Sequence, residues 1–272
     1  MISNECKSKI QGYLEGFIQG LIDEFKPPTN IRPKDLRPQR LESKRGDIKP
    51  FHEAIIPDGI LRINEFGRSF STKLGTTFEE VARLIALENH KDAVRQYRVE
   101  GKISFKAIEM IETIRNSINS GGFDSTYHEY VKDVVRVSSG KGEKRYRIAD
   151  LYILTEDCNE IFLEIKSPKP NKGQCLEATE RLLEFHALKK KTAPKIQTYY
   201  AMAYNPYGIE KNTYRHSFTT NYMDINQEVL IGQEFWEIVG KYPSTYNDVL
   251  KIYKIVGREK GPEMIDKLAL GY

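Results

Sequence analysis

Two carboxylates and a lysine interrupt two neighbouring apolar runs of the sequence. In the run EIFLEIK, Glu164 and Lys166 alternate with apolar residues, so both side chains lie on one face of an extended strand. Strands inside an α/β sheet are normally apolar on both faces. The preceding run, RYRIADLYIL, carries Asp150 among apolar neighbours. Charged side chains at these positions indicate a functional site.

These residue types suit the hydrolysis of a phosphodiester. If the two strands pair as a hairpin through the turn TEDCN, Asp150 and Glu164 lie side by side at one end of the sheet. Two carboxylates, with water and phosphate oxygens, are enough to bind Mg²⁺, which activates water and offsets developing negative charge. Lys166 can then position or help deprotonate the attacking water. The alternative is an ordinary charged pair, Glu164 with Lys166, on a solvated strand face.

Helical spacing of apolar residues predicts three helices before these strands. The first spans residues 5–25. The second has Thr76 or Thr77 as its N-cap, and the third begins after Ser104 and ends at Gly121.

The apolar pattern then changes to alternating or continuous positions, which predicts strands. The predicted strands are Val131–Ser138, Arg145–Leu154, Glu160–Lys166 and Lys195–Tyr204. Further helices are predicted at about 174–190, 227–239 and 244–256. The order predicts an α/β fold with a mixed central β-sheet flanked by helices and helical additions at both ends.

The chain divides by composition into an N-terminal helix with a basic arm, residues 1–64, and a main domain, residues 65–272. The arm holds eight Lys or Arg against three Asp or Glu over residues 26–50 and is rich in proline. It is either a solvated linker or a basic segment that binds along the phosphates of a nucleic acid. A net charge of +4 is compatible with a polyanionic partner and decides little by itself.

Several classes of protein are disfavoured. No apolar run approaches the roughly 20 residues of a membrane-spanning helix, and no secretory signal opens the sequence. The three cysteines show no metal or disulfide spacing. A cytoplasmic protein without a membrane partner is expected. A phosphate loop of the GxxxxGK type is also missing, which argues against an NTP-driven motor.

The motifs resemble those of the PD-(D/E)XK nuclease superfamily. GTTFEEVARLIA, RIADLYIL, FLEIKSPKPNKGQ and YYAMAYNPYG are similar to one group of type II restriction endonucleases, over most of residues 65–240. The resemblance implies sequence-specific cleavage of double-stranded DNA, with the target GGNCC, Mg²⁺ as cofactor and a cognate methyltransferase in the same host. A twofold DNA target further suggests a homodimer.

The resemblance also assigns residues. It implies that Asp150 and Glu164 bind the metal and that Lys166 acts in catalysis, while Ala149 stands where the family has proline. An acidic residue on the helix before the sheet maps onto Glu79 or Glu80. Neighbours on a helix diverge by about 100°, so only one can face the metal, and Glu79 is preferred. The alternative is that both are first-turn acids favoured by the helix dipole.

Two segments are candidates for contact with DNA. SPKPNKGQ places Lys169, Lys172 and Gln174 just after the active strand, where they can contact phosphate, although any lysine-rich turn looks the same. Residues 205–222 hold Asn205 and Arg215, side chains that pair with adenine and guanine edges. A plain surface loop is the alternative there.

The same sequence features are compatible with two other functions. One is a repair or junction-resolving nuclease of the same fold, and the other is a non-catalytic DNA-binding subunit. Intact Asp150, Glu164 and Lys166 favour an enzyme, because an inactive core has no reason to keep costly charges near a sheet.

Overall fold

The computed structural model describes residues 2–25, 58–121 and 123–268, so the basic arm lies outside the described residues. The described residues form two compact units. The first contains residues 2–6, 78–121 and 123–249, and the second contains residues 7–25, 58–77 and 250–268.

The first unit contains a mixed five-stranded sheet. Its strands are β1 Asp92–Ser104, β2 Gly142–Leu154, β3 Glu160–Ile165, β4 Ile196–Met202 and β5 Val229–Ile231. They follow one another in the sheet as they do in the chain. The pairs β1–β2 and β2–β3 are antiparallel, while β3–β4 and β4–β5 are parallel. The α/β class with a mixed sheet is therefore confirmed.

Eight α-helices occur in the described ranges. They are α1 Asn4–Phe25, α2 Asp58–Asn89, α3 Phe105–Gly121, α4 Tyr127–Arg136, α5 Lys172–Lys189, α6 Ser217–Tyr222, α7 Gln233–Gly240 and α8 Thr245–Leu268. Over the residues described, none of the helices combines the length and the apolar character needed to cross a membrane.

Helix α5 is the crossover between the parallel strands β3 and β4. It begins with a capping box, in which the Asn171 side chain accepts from the Gln174 N–H and the Gln174 side chain accepts from the Asn171 N–H. Its inner face packs on the sheet, where Phe185 stacks on Phe162 with ring centroids 4.9 Å apart. Both rings are fully buried. This packing fixes α5 beside the strand that carries Glu164.

The predicted strand Val131–Ser138 is wrong, because most of it belongs to helix α4. Thr126 and Glu129 form a capping box at the helix start. The buried residues of α4 are Tyr127, Tyr130, Val131 and Val134, which lie three or four positions apart on one helical face. The β-branched residues of this segment have high strand propensity, which is why its local pattern favours a strand.

Strand β1 was not predicted at all. Its sequence, DAVRQYRVEGKIS, is largely polar, and exposed and buried positions follow no strict alternation. It becomes a strand through its long antiparallel pairing with β2, which runs from Asp92↔Leu154 to Ser104↔Gly142. Pairing with a distant segment therefore overrides weak local propensity.

Two further boundaries differ from prediction. Thr76 and Thr77 are not an N-cap, since α2 begins at Asp58 and both hydroxyls donate to carbonyls one turn earlier, at Lys73 and Leu74. The helix predicted at 227–239 starts instead as the short strand β5 and continues as α7. The predictions for α1, α3, β2, β3, α5 and β4 are confirmed within a few residues.

The capping box of α4 allows a test of the corrected assignment. We expect Thr126→Ala to lower the free energy of unfolding by about 1 kcal/mol, because it removes the side-chain acceptor of the Glu129 N–H. Denaturant unfolding measures this loss. Thr113→Ala, at an exposed position inside α3, is the control and should leave the free energy of unfolding unchanged. Equal stability of the two variants would contradict the helical start at Thr126.

Candidate active site

Strands β2 and β3 separate at the residues that carry the two carboxylates. Their ladder ends at the pair Leu151↔Leu163, and Asp150 and Glu164 are the next residues in that register. There the Ile165 N–H donates to Asp150 Oδ2 over 2.9 Å. A side chain thus replaces the backbone acceptor that a continued ladder would supply, and both carboxylates lie at the fork.

The opposite neighbour of Asp150 is also irregular. The pairs Arg95↔Leu151 and Tyr97↔Ala149 place Gln96 across from Asp150, yet Gln96 is not itself paired. Its φ is 50°, a left-handed conformation that is uncommon for a residue other than glycine. Asp150 is therefore outside the regular ladder on both sides.

Lys166 brings an ammonium to the two carboxylates. Its Nζ lies 2.7 Å from Asp150 Oδ2 and 3.4 Å from Glu164 Oε2. Burial by itself lowers the pKa of Lys166, but the charges of Asp150 and Glu164 and their hydrogen bonds raise this pKa above its usual value. The side chain of Lys166 is 42% exposed, so the ammonium also reaches solvent.

Glu164 is the most deeply buried of the three, with a side chain only 1% exposed. Its Oε2 accepts from Arg181 over 3.1 Å, while its buried Oε1 has no hydrogen-bond partner among the described residues. Burial, and then the charge of Asp150, raise the pKa of Glu164 to about 7, against the opposing effect of Lys166 and Arg181.

The two carboxylates fit a hard divalent cation. Each has one oxygen engaged by protein donors: Asp150 Oδ2 by Ile165 and Lys166, and Glu164 Oε2 by Arg181 and Lys166. Glu164 Oε1 is a buried acceptor without a partner, which is costly unless a cation or donor satisfies it. No group of three or more His, Cys, Asp or Glu side chains that could hold a metal occurs in the described ranges. Water and phosphate oxygens would complete such a shell.

Arg181 is a site residue that the sequence does not predict. It lies on α5 and also binds Glu177, 2.7 Å away and one turn earlier. With Glu164, Lys166 and Tyr200 these two residues line a cavity of about 220 Å³. Its only sequence signal is the i,i+4 pairing with Glu177, which says nothing about Glu164. The packing of α5 on the sheet creates this contact.

The acids of helix α2 lie in an ion-pair network. Glu79 Oε2 accepts from Arg95 over 2.9 Å and from Gln96 over 3.3 Å. Glu80 pairs with Arg83 and Arg95. Within the described ranges, neither acid joins Asp150 and Glu164 in a metal-ligating group of three or more side chains. Glu79 instead reaches Gln96, the residue across from Asp150.

Two of the predicted phosphate-binding lysines lie over aromatic rings. Lys169 Nζ is 5.3 Å from the ring centroid of Tyr207, and Lys172 Nζ is 4.7 Å from that of Tyr222. Lys172 also donates to the carbonyl of Asn119. The two ring contacts, which are of the cation–π type, hold both lysines against residues 205–222.

The other predicted DNA-binding residues differ in their surroundings. The Gln174 side chain caps α5 through the Asn171 N–H. Asn205 is buried, and its amide donates to the Glu210 carbonyl over 2.8 Å. This hydrogen bond stabilises the conformation of residues 205–222. Arg215 is exposed and forms no side-chain hydrogen bond, ion pair or cation–π contact with another described residue. Gln174 and Arg215 are both exposed, but the Gln174 side chain is used as a helix cap. Among these three described residues, the Arg215 side chain alone is not used within the protein.

Comparisons with known proteins identify the family of the chain. Residues 2–257 match the model of the family described as type II restriction endonuclease, HinfI. The chain is 42% identical to the type II restriction enzyme HgiBI of Herpetosiphon aurantiacus over 96% of its own length and 97% of that protein. It is 41% identical to HgiEI of the same organism, with equal coverage. It is 24% identical to the type II restriction enzyme MjaII of Methanocaldococcus jannaschii, over 76% of this chain and 58% of that one. The chain therefore belongs to the HinfI family of type II restriction endonucleases and is a site-specific deoxyribonuclease.

Proposed function

We propose that this enzyme cleaves double-stranded DNA with Mg²⁺ held by Asp150 and Glu164, and that Lys166 positions the attacking water. The observation that supports this most directly is the buried, unpartnered Oε1 of Glu164 beside a second carboxylate. A cation at this point satisfies an acceptor that the protein leaves without a donor.

The metal, when bound, lowers the pKa of a coordinated water and offsets negative charge at the phosphate. The protein fixes the two ligands in advance. The Ile165 N–H and Lys166 hold Asp150 Oδ2, and Arg181 holds Glu164 Oε2. One oxygen of each carboxylate is thereby left for the metal in a defined direction, which is the preorganisation that hydrolysis requires.

Lys166 positions the attacking water and is not a ligand of the metal. Its ammonium is anchored by both carboxylates, yet a large part of the side chain reaches solvent, where water and the scissile phosphate enter. A compact ammonium offers three donors, so it can hold the carboxylates and orient a water at the same time.

The DNA contacts follow from exposure and charge. We assign Lys169 and Lys172, beside the active strand, to phosphates, and Arg215 to a base edge. The proposed target GGNCC is rich in G·C pairs, and arginine pairs with guanine through two hydrogen bonds. Gln174 and Asn205 act indirectly, by capping α5 and by folding residues 205–222.

A twofold target is read most simply by a homodimer, and a cognate methyltransferase protects the host DNA in the cytoplasm. Glu79 supports the site from outside the metal shell, since it holds Gln96 across from Asp150.

The metal requirement is tested first. Purified enzyme incubated with phage DNA should produce discrete fragments with Mg²⁺ or Mn²⁺ and none with EDTA, while Ca²⁺ should support binding without turnover. End-sequencing of the fragments gives the target and compares it with GGNCC. Full cleavage in EDTA would exclude the proposed metal site.

Replacement of Asp150 tests the ligand assignment. We expect Asp150→Ala to abolish cleavage but to keep the fold and Ca²⁺-dependent DNA binding, because it removes a metal ligand and little core volume. Asp157→Ala, in the exposed turn between β2 and β3, is the matched control and should cleave as the wild type does. Normal cleavage by Asp150→Ala would place the site elsewhere.

Replacement of Lys166 separates water positioning from charge balance. Arginine keeps the charge but presents a wide planar fork. If Lys166 positions the water, both Lys166→Arg and Lys166→Ala should reduce the single-turnover rate by a factor on the order of 10² or more. Lys106→Arg, at an exposed position of α3, should leave the rate unchanged. High activity of Lys166→Arg would reduce the role of Lys166 to charge balance.

A further inference from the structure

The five residues after Lys166, Ser167–Asn171, form what we call the proline segment. Pro168 and Pro170 are buried and have no N–H, and proline also restricts the backbone of the residue before it. The segment therefore has few internal degrees of freedom. A segment of this kind can pass a displacement of its carbonyls on to Lys166.

Three side chains hold the carbonyls of the proline segment. The hydrogen bonds are Tyr200 Oη to the Ser167 carbonyl (3.0 Å), Tyr214 Oη to the Pro168 carbonyl (2.7 Å) and His216 Nε2 to the Pro170 carbonyl (2.7 Å). Tyr200 belongs to β4, next to the active strand. The other two donors come from residues 205–222, which we call the recognition loop because it carries Arg215.

Arg215 lies between the two donors of the recognition loop. Tyr214 and His216 have extended backbones, with φ and ψ of −70° and 127° and of −71° and 113°. Side chains along an extended chain alternate in direction. Tyr214 is accordingly 7% exposed, whereas Arg215 is exposed and its side chain has no hydrogen bond or ion pair with another described residue. The same three residues hold the proline segment on one side and offer a guanidinium on the other.

We propose that Tyr214 and His216 are positioning residues that couple DNA recognition to cleavage. Contact of Arg215 with its target base holds the recognition loop in place. The two hydrogen bonds then hold the proline segment, and the stiff segment holds Lys166 at the carboxylates. This inference rests on the roles proposed above for Lys166 and Arg215. The enzyme bound to an incorrect sequence lacks the Arg215 contact, so Lys166 is placed less well and cleavage is slow.

Single substitutions with matched controls test this coupling. Tyr214→Phe keeps the ring and removes the donor. It should lower the single-turnover cleavage rate on the target about tenfold or more, while the Kd measured in Ca²⁺ stays within about threefold of wild type. Tyr127→Phe loses a comparable buried hydrogen bond, to Thr198, and should cleave at the wild-type rate. His216→Leu should be slow, and His216→Gln, which retains an N–H donor, should recover much of the rate.

A double-mutant cycle gives the decisive measurement. Arg215→Ala should slow the cleavage of bound target in the wild-type background and add little slowing in the Tyr214→Phe background, because the coupling is already lost. Additive effects would overturn the inference. So would a Tyr214→Phe rate within about threefold of wild type, or a loss that Tyr127→Phe shares. Normal cleavage by Lys166→Ala would remove the proposed site itself, whereas inactive Lys166→Ala with normal Tyr214→Phe would refute the coupling alone.

Discussion

The hydrogen bond from the Ile165 N–H to Asp150 Oδ2 is the interaction on which the site depends. It closes the fork between β2 and β3 with a side chain instead of a backbone carbonyl. Without it, a buried N–H would lose its acceptor, at a cost of about 1–3 kcal/mol. Because one carboxylate oxygen is used in this way, Asp150 has a fixed orientation, and Glu164 and Lys166 follow on the strand that the fork leaves open.

Charge compensation explains how two acids can share a buried position. Glu164 and Asp150 are close, and burial alone would favour their neutral forms. Lys166 and Arg181 supply two positive charges against two negative ones. The compensation is incomplete, since the pKa of Glu164 is still raised to about 7. Burying two carboxylates so close together lowers the stability of the fold. Proteins keep such destabilising groups where function requires them.

The segments on either side of the active strand contact it where the regular backbone pairing of the sheet is interrupted. On one side, Glu79 accepts hydrogen bonds from Arg95 and from the left-handed Gln96, which lies across from Asp150. On the other side, three carbonyls of the proline segment accept hydrogen bonds from side chains of β4 and the recognition loop. The catalytic strand is thus held at points where regular sheet pairing stops, which links it to elements distant in sequence.

Local patterns in the sequence determined most helices, strands β2 to β4 and the pairing of Asp150 with Glu164 and Lys166, because alternation and hairpin geometry act over short distances. The family motifs likewise sufficed to identify an endonuclease. Only the tertiary structure decided that Val131–Ser138 is mainly helical and that polar β1 is a strand. It also decided that Arg181 reaches Glu164 and that Asn205 folds its loop. These features depend on packing between segments far apart in the chain, which no local pattern records.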